Sequence, residues 1–212
     1  MDLAHGGDDF RQRDVLRPPA VVLIPGLVMS FYVWLVLVTT IPYPGKIGLD
    51  YNTLGTDWMV FYGAIRSVLD GNAALIFDGD RFTDFLNTNF AGWLSTPLEF
   101  RPWAYPPSFL LMLLPFAPLG FFGSYVAFQI VTGALLAAAL RSGSQTTVPS
   151  GALLVAALAC PASAINVING QAVFLVAALI VGGFGLLERR PYVGGVVLGL
   201  VTFEPQFGVL VP

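Results

Sequence analysis

The stretch PWAYPPSFLLMLLPFAPLGFFGSYVAFQIVTGALLAAAL, residues 102–140, decides the fold class. It holds no charged side chain and is longer than the roughly 20 apolar residues that one helix needs to cross a bilayer core. Pro115, Pro118 and Gly120 interrupt it, so it divides into a short apolar piece at 106–120 and a full span at 121–140. The polar, turn-rich RSGSQTTVPSG at 141–151 is a loop, and three more apolar runs follow at 151–168, 172–187 and 192–203. Upstream, AVVLIPGLVMSFYVWLVLVTTI at 20–41 is again the length of one span, with a bend expected at Pro25–Gly26. It ends in IPYPGK rather than in a small-residue cleavage site, so it is a retained span and not a signal peptide.

Composition agrees. Of 212 residues, 56% are hydrophobic and 11% charged, against the roughly 25% charged of an ordinary soluble domain. Mean hydropathy is +0.75. These values exclude a soluble enzyme, a nucleic-acid partner and a disordered chain, and they predict an all-α integral membrane protein. The net charge of −3 is too small to point to an acidic or basic partner. The charges gather in a tail (1–19) and in a loop (42–104), leaving 105–212 as a nearly uncharged membrane block, all within a single membrane domain. Lone Cys160 makes no intrachain disulfide, and no cluster of His, Cys and carboxylates has metal-ligand spacing; no cofactor is implied.

Arg11, Arg13 and Arg17 beside the first span predict a cytoplasmic N-terminus and an external 42–104 loop. With 106–120 short or re-entrant, Arg141 and Arg189–Arg190 fall inside, while INVINGQ (165–171) and FEPQ (203–206) join the loop outside. Within that loop, Asp57 to Asp70 has the pattern of an amphipathic helix. Thr56 or Asp57 caps it, Trp58, Phe61, Tyr62, Ile65 and Leu69 form its apolar stripe, and Gly71 stops it. Such a helix is expected to lie in the membrane interface, with Trp58 and Tyr62 at headgroup level. From the residues alone, Asp57 is either a helix cap or a functional carboxylate, and Asn169 and Gln171 are either turn formers or amides lining a site.

Taken together, TDWMVFYGAIRSVLDGNAALIFD (56–78), RPWAYPPSFLLMLLPFAPLG (101–120) and NGQAVFLVAALIVGGFGLLERRPYVGGVVLGLVTFEPQ (169–206) resemble glycosyltransferase family 87. The correspondence rests on Asp57 with Phe61–Tyr62 and Gly71, on Tyr105–Pro106–Pro107 with Pro115, on Asn169–Gly170–Gln171, and on Gly194 to Pro205. The resemblance implies a GT-C-like multi-spanning helical bundle, in the plasma (inner) membrane, whose large first external loop carries interfacial helices. It implies transfer of a hexose, with α-1,2-mannosyl transfer as the family's example, from a polyprenyl-phosphate sugar to a lipid or glycan acceptor. Asp57 then maps onto the catalytic base. Tyr62, Arg66, Arg101, Trp103, Tyr105, Asn169, Gln171 and Glu204 are the expected substrate-binding residues, the two arginines either for phosphate or as surface or carboxylate-paired side chains, and the aromatic rings for a sugar face or the interface.

Two departures from the family pattern stand out. Glu204 occupies the position where relatives carry a lysine before the proline. The chain also ends at Pro212 inside an apolar segment where relatives continue, so it is expected to be an N-terminal half. Both features favour the alternative, a non-catalytic or degenerate membrane subunit that binds a lipid-linked sugar or a partner protein.

Overall fold

The computed structural model describes residues 26–34, 54–94, 96–143 and 150–208, and these are helical with no strand among them. The tail and the ends of the 20–41 span lie outside the described residues; 26–34 is helical and packs Gly26 against Ala159. The helices named here are α1 (Thr56–Leu69), α2 (Gly79–Asn89), α3 (Pro107–Leu113), α4 (Gly120–Gly143), α5 (Ser150–Leu158), α6 (Pro161–Asn169), α7 (Val173–Leu187) and α8 (Pro191–Gly199). Short 3₁₀ turns follow α1, α3 and α8 at Ala73–Phe77, Leu114–Leu119 and Leu200–Phe203, and Pro205–Gly208 closes the described chain with one further turn.

The break expected within 102–140 is present. A 3₁₀ turn containing Pro118 ends at Gly120, whose φ of +67° redirects the chain into α4. Residues 107–142 form the one helical run among the described residues that is long and apolar enough to cross a membrane. The 24 residues of α4 alone span about 36 Å, enough for the bilayer core. The run expected as one span at 151–168 is instead two helices. Pro161 has no N–H to continue the ladder of α5, and Cys160 before it is extended at φ −78°, ψ 152°.

Contacts between the long helices fix the topology. Gln129 bonds the carbonyl of Gln171, a Cβ at Gly133 would touch Phe174, and one at Gly182 would touch Ala139, so α4 and α7 run parallel. The α5–α6 segment returns antiparallel to α4, joined by Asn166 to Gln129 and by the Tyr125 hydroxyl to the Val167 carbonyl. Helix α8 runs back along α7, with Gly183 against Leu198 and Gly194 against Leu187. Their missing side chains let the two backbones approach closely, as membrane helix pairs do. An up, down, up, down course therefore leaves the 169–171 turn and residue 204 at one end, with Arg141 and Arg189–Arg190 at the other.

Helix α1 differs from the expected interfacial helix. It is buried nearly all round: Trp58, Met59, Phe61, Ala64 and Ile65 are at most 1% exposed, and only the end carrying Arg66 and Leu69 faces outward. Trp58 is not at a headgroup boundary. Its indole N–H donates to Ser124 Oγ on α4 at 3.0 Å, and its ring packs on Phe61, Phe116 and Phe128. Neither Thr56 nor Asp57 caps the helix; the N-cap is Gly55 at φ +75°, whose N–H reaches the Ile168 carbonyl at 2.7 Å. The expected stop is present, with Gly71 at φ +78° and its N–H on the Val68 carbonyl.

Candidate active site

Freed from capping, the Asp57 carboxylate at the start of α1 has two partners from distant sequence. Its Oδ2 accepts from Gln171 Nε2 at 2.8 Å, and its Oδ1 lies 3.7 Å from Arg101 Nη1. The Asp57 side chain is 24% exposed and that of Arg101 is 41% exposed, so the pair is partly open to solvent.

Each partner is placed by identifiable local structure. Gln171 follows Gly170, which ends α6 at φ +75°. A Cβ there would sit 2.6 Å from Trp58 Cβ and 2.9 Å from Tyr125 Cε2, so only glycine allows the turn to press onto α1. Asn169 is the last residue of α6 and serves that turn. Arg101 lies in an extended segment braced by α2: Asn87 exchanges hydrogen bonds with the Leu98 backbone at 2.6 and 3.1 Å, and Thr83 Oγ1 accepts the Arg101 N–H at 2.9 Å.

Tyr105 and Glu204 complete the cluster. The Tyr105 ring packs edge-on to Phe61, and burial, then Glu204, then Asp57 push its hydroxyl pKa well above the ordinary phenol value. It therefore remains a protonated O–H donor among carboxylates. Glu204 terminates the 3₁₀ turn after α8, which is anchored by Phe203 stacked on Phe109 at 4.4 Å. Its carboxyl pKa is raised by burial first and also by Asp57, against the lowering effect of the Gln206 amide that bonds it at 2.5 Å.

Other expected binding residues lie elsewhere. Arg66 pairs with Asp70 at 3.1 Å on the outer side of α1, about two and a half helical turns from Asp57 and on the opposite face. Tyr62 packs between Phe90 and Phe121. Trp103 is 7% exposed, packed on Phe61, Tyr105 and Phe109, and its indole N–H finds no acceptor among the described residues. A groove of about 390 Å³ on the outer face of α2, lined by residues including Asn72, Arg81, Asp84 and Phe85, shares none of its lining with the Asp57 cluster.

Gln129 and Asn166 were not picked out by sequence. Both are buried, and both bond the backbone around Gln171. The available signal was an isolated amide inside an apolar run, which at membrane depth carries a desolvation cost unless it is paired.

Chemically, the cluster offers a hydrogen-bonded carboxylate, a neighbouring guanidinium, a phenol donor and a second carboxyl at the boundary between an apolar helical block and a polar loop. This set suits proton abstraction from a hydroxyl beside an anionic group. No curated protein and no solved structure matches the chain. The sequence model of glycosyltransferase family 87 does match, over residues 103–212, just over half the length. The matched part contributes Trp103, Tyr105, Asn169, Gln171 and Glu204, while Asp57 and Arg101 come from the segment before it. A cluster of carboxylates, amide, guanidinium and phenol at one end of an apolar helical block, with three of its five side chains inside the matched region, agrees with that match: the chain belongs to glycosyltransferase family 87, a membrane-associated family of glycosyltransferases.

Proposed function

We propose that this protein is a multi-spanning membrane glycosyltransferase. It moves a hexose, with mannose the first to test, from a polyprenyl-phosphate sugar to a lipid or glycan acceptor on the external face, and Asp57 acts as general base. The observation that carries this reading is the Asp57 carboxylate, held by Gln171 from the family-matched region and faced by Arg101. A sugar hydroxyl is a poor nucleophile at neutral pH. Its proton passes to Asp57 as the new bond to the sugar C1 forms, and the lipid phosphate leaves as an anion with the bonding electrons. Arg101 offers a planar guanidinium for that phosphate, and Tyr105 supplies a neutral O–H donor.

Placement in the plasma membrane, with the N-terminus inside, draws support from the ends of the bundle. Arg141 and Arg189–Arg190 lie opposite the cluster, the distribution that retains positive charge in the cytoplasm and leaves the cluster outside. Exposed apolar side chains on the outer faces, among them Leu111, Ile130, Phe184 and Val196, suit contact with lipid. In a Cys160→Ser background, Arg141→Cys and Thr202→Cys made singly test this orientation: an external impermeant thiol reagent is expected to label only the Thr202→Cys variant.

The activity test uses proteoliposomes holding the full chain, labelled polyprenyl-phosphate mannose and other polyprenyl-phosphate hexoses, and lipid-extracted acceptors. Transfer is expected, and Asp57→Asn is expected to lower it by about 10²–10⁴-fold, the usual worth of a positioned base. Transfer that survives Asp57→Asn overturns the role of Asp57. Glu204 at the cluster favours a second reading, a subunit that binds the lipid-linked sugar without transferring it; donor binding without turnover in the same proteoliposomes would establish that reading.

A further inference from the structure

We infer that Gln129 and Asn166 are positioning residues that form a buried amide relay and fix Gln171, and through it the Asp57 carboxylate. The inference rests on the reading of Asp57 as base. Asn166 is fully buried and Gln129 is 9% exposed, and all the polar atoms of the two side chains face one another or the turn. Asn166 Nδ2 donates to Gln129 Oε1 at 2.7 Å. Gln129 Nε2 donates to the Gln171 carbonyl at 3.0 Å. Asn166 Oδ1 accepts the Val173 N–H at 2.8 Å, while the Asn166 carbonyl accepts the N–H groups of Gly170 and Gln171 at 2.9 and 3.0 Å.

The Gln171 main chain is thus gripped at its N–H, at its carbonyl and two residues onward, which leaves only its side-chain torsions free. Those torsions carry Nε2 to Asp57 Oδ2. Helix packing alone accounts for neither amide. An apolar residue of similar size would fill either position, and burying two primary amides is costly unless they are hydrogen-bonded. Here the oxygen and one N–H of each amide are hydrogen-bonded, and every partner is the other amide of the relay or the backbone around Gln171. The grip spans α4, α6 and the start of α7, three elements that meet only in the folded bundle, so it also ties the geometry of the base to correct assembly of that end.

The test uses the full chain in nanodiscs with polyprenyl-phosphate mannose as donor probe. Gln129→Met keeps the side-chain length and removes both amide functions; Gln129→Glu keeps the acceptor for Asn166 but not the donor to the Gln171 carbonyl. Gln129→Met is expected to lower kcat by about tenfold with KM for the donor unchanged, as a misaligned base does, and Gln129→Glu to recover none of the loss, whereas recovery by Gln129→Glu overturns the grip on the Gln171 carbonyl. Combined with Gln171→Leu, Gln129→Met is expected to add nothing, because both act through one side chain. Losses that multiply, or a change confined to KM, overturn the inference. Amide hydrogen exchange provides a readout that needs no turnover: the Gln171 and Val173 amides are expected to exchange at least about tenfold faster in Gln129→Met, with α1 amides unchanged. Unaltered exchange at those two amides overturns the relay whatever the activity shows. Failure of Asp57→Asn to reduce transfer would instead strike the assignment of the base and leave the exchange result standing.

Discussion

Replacing Gly170 with alanine tests how α1 is locked to the rest of the bundle. Two costs are separable there. The residue sits at φ +75°, and an L side chain in that left-handed conformation costs about 1–2 kcal/mol. The new Cβ would also stand 2.6 Å from Trp58 Cβ, so the turn and α1 must part by about 1 Å to reach an ordinary carbon–carbon contact of roughly 3.5 Å. Overpacking of that kind adds about 1–3 kcal/mol, for a total of about 2–5 kcal/mol. Gly71 supplies the control, since its φ is +78° and a Cβ there meets nothing within 4 Å. Gly71→Ala should therefore lose only the conformational part, about 1–2 kcal/mol. Thermal unfolding of both variants in nanodiscs is expected to place Gly170→Ala below Gly71→Ala by the overpacking increment. Transfer by Gly170→Ala should fall further still, since a shift of about 1 Å at a reacting group can cost about 10²-fold. Equal stability of the two variants would refute the close contact between the 169–171 turn and Trp58.

Trp58→Phe removes the indole donor to the buried Ser124 Oγ, which keeps its own bond to the Phe121 carbonyl, so the variant is expected to unfold with about 0.5–1.5 kcal/mol less stability in the same denaturation assay. Glu204→Gln tests linkage. Burial raises the folded-state carboxyl pKa, so the native protein binds the extra proton, and stability is lost as pH rises from the ordinary carboxyl range through the raised value. The glutamine variant should match the parent at acid pH and melt higher at neutral pH; the reverse order would show that Glu204 is stabilised as a charge. Arg101→Ala should lower transfer by about tenfold, a charge-assisted contact discounted for its exposure, while Arg66→Ala, which breaks only an exposed pair with Asp70, leaves the rate at the parent value.

How far the sequence disclosed this arrangement depended on whether its signals were local. The break at Pro115–Gly120, the stop at Gly71 and the turn at Asn169–Gly170–Gln171 were legible because proline and glycine act on their own backbone torsions. The break at Cys160–Pro161 was equally local but was masked by the apolar run around it. The environment of α1 was misread for a different reason. Its apolar stripe fits a surface helix, yet Gly63, Ala64 and Ser67 on the opposite side are small, which is what permits close packing all round. A Cβ at Gly63 would collide with the Leu86 side chain, and Ser67 satisfies its hydroxyl on the Gly63 carbonyl. The Gln171 to Asp57 contact spans 114 residues, and nothing in the local pattern at either end encodes its partner.

Topology explains why so few polar residues suffice. In the apolar half of the chain, a polar side chain within the bilayer is costly unless it is paired, so such residues accumulate where segments end. Parallel α4 and α7, with α5–α6 and α8 returning between and beside them, bring the end of α6 and the end of the α8 segment to the same place. That one constraint gathers Asn169, Gln171 and Glu204, and the loop helix α1 needs only to insert Trp58 beneath Gly170 to set Asp57 against Gln171. Arg101 and Tyr105 then follow from chain length, since the extended segment running from α2 toward α3 must cross the mouth of the same end. The same course sends Arg141 and Arg189–Arg190 to the opposite end. The chemistry of the cluster and the charge asymmetry of the bundle are therefore two consequences of one arrangement of helices, and a change that reversed the direction of α7 would abolish both together.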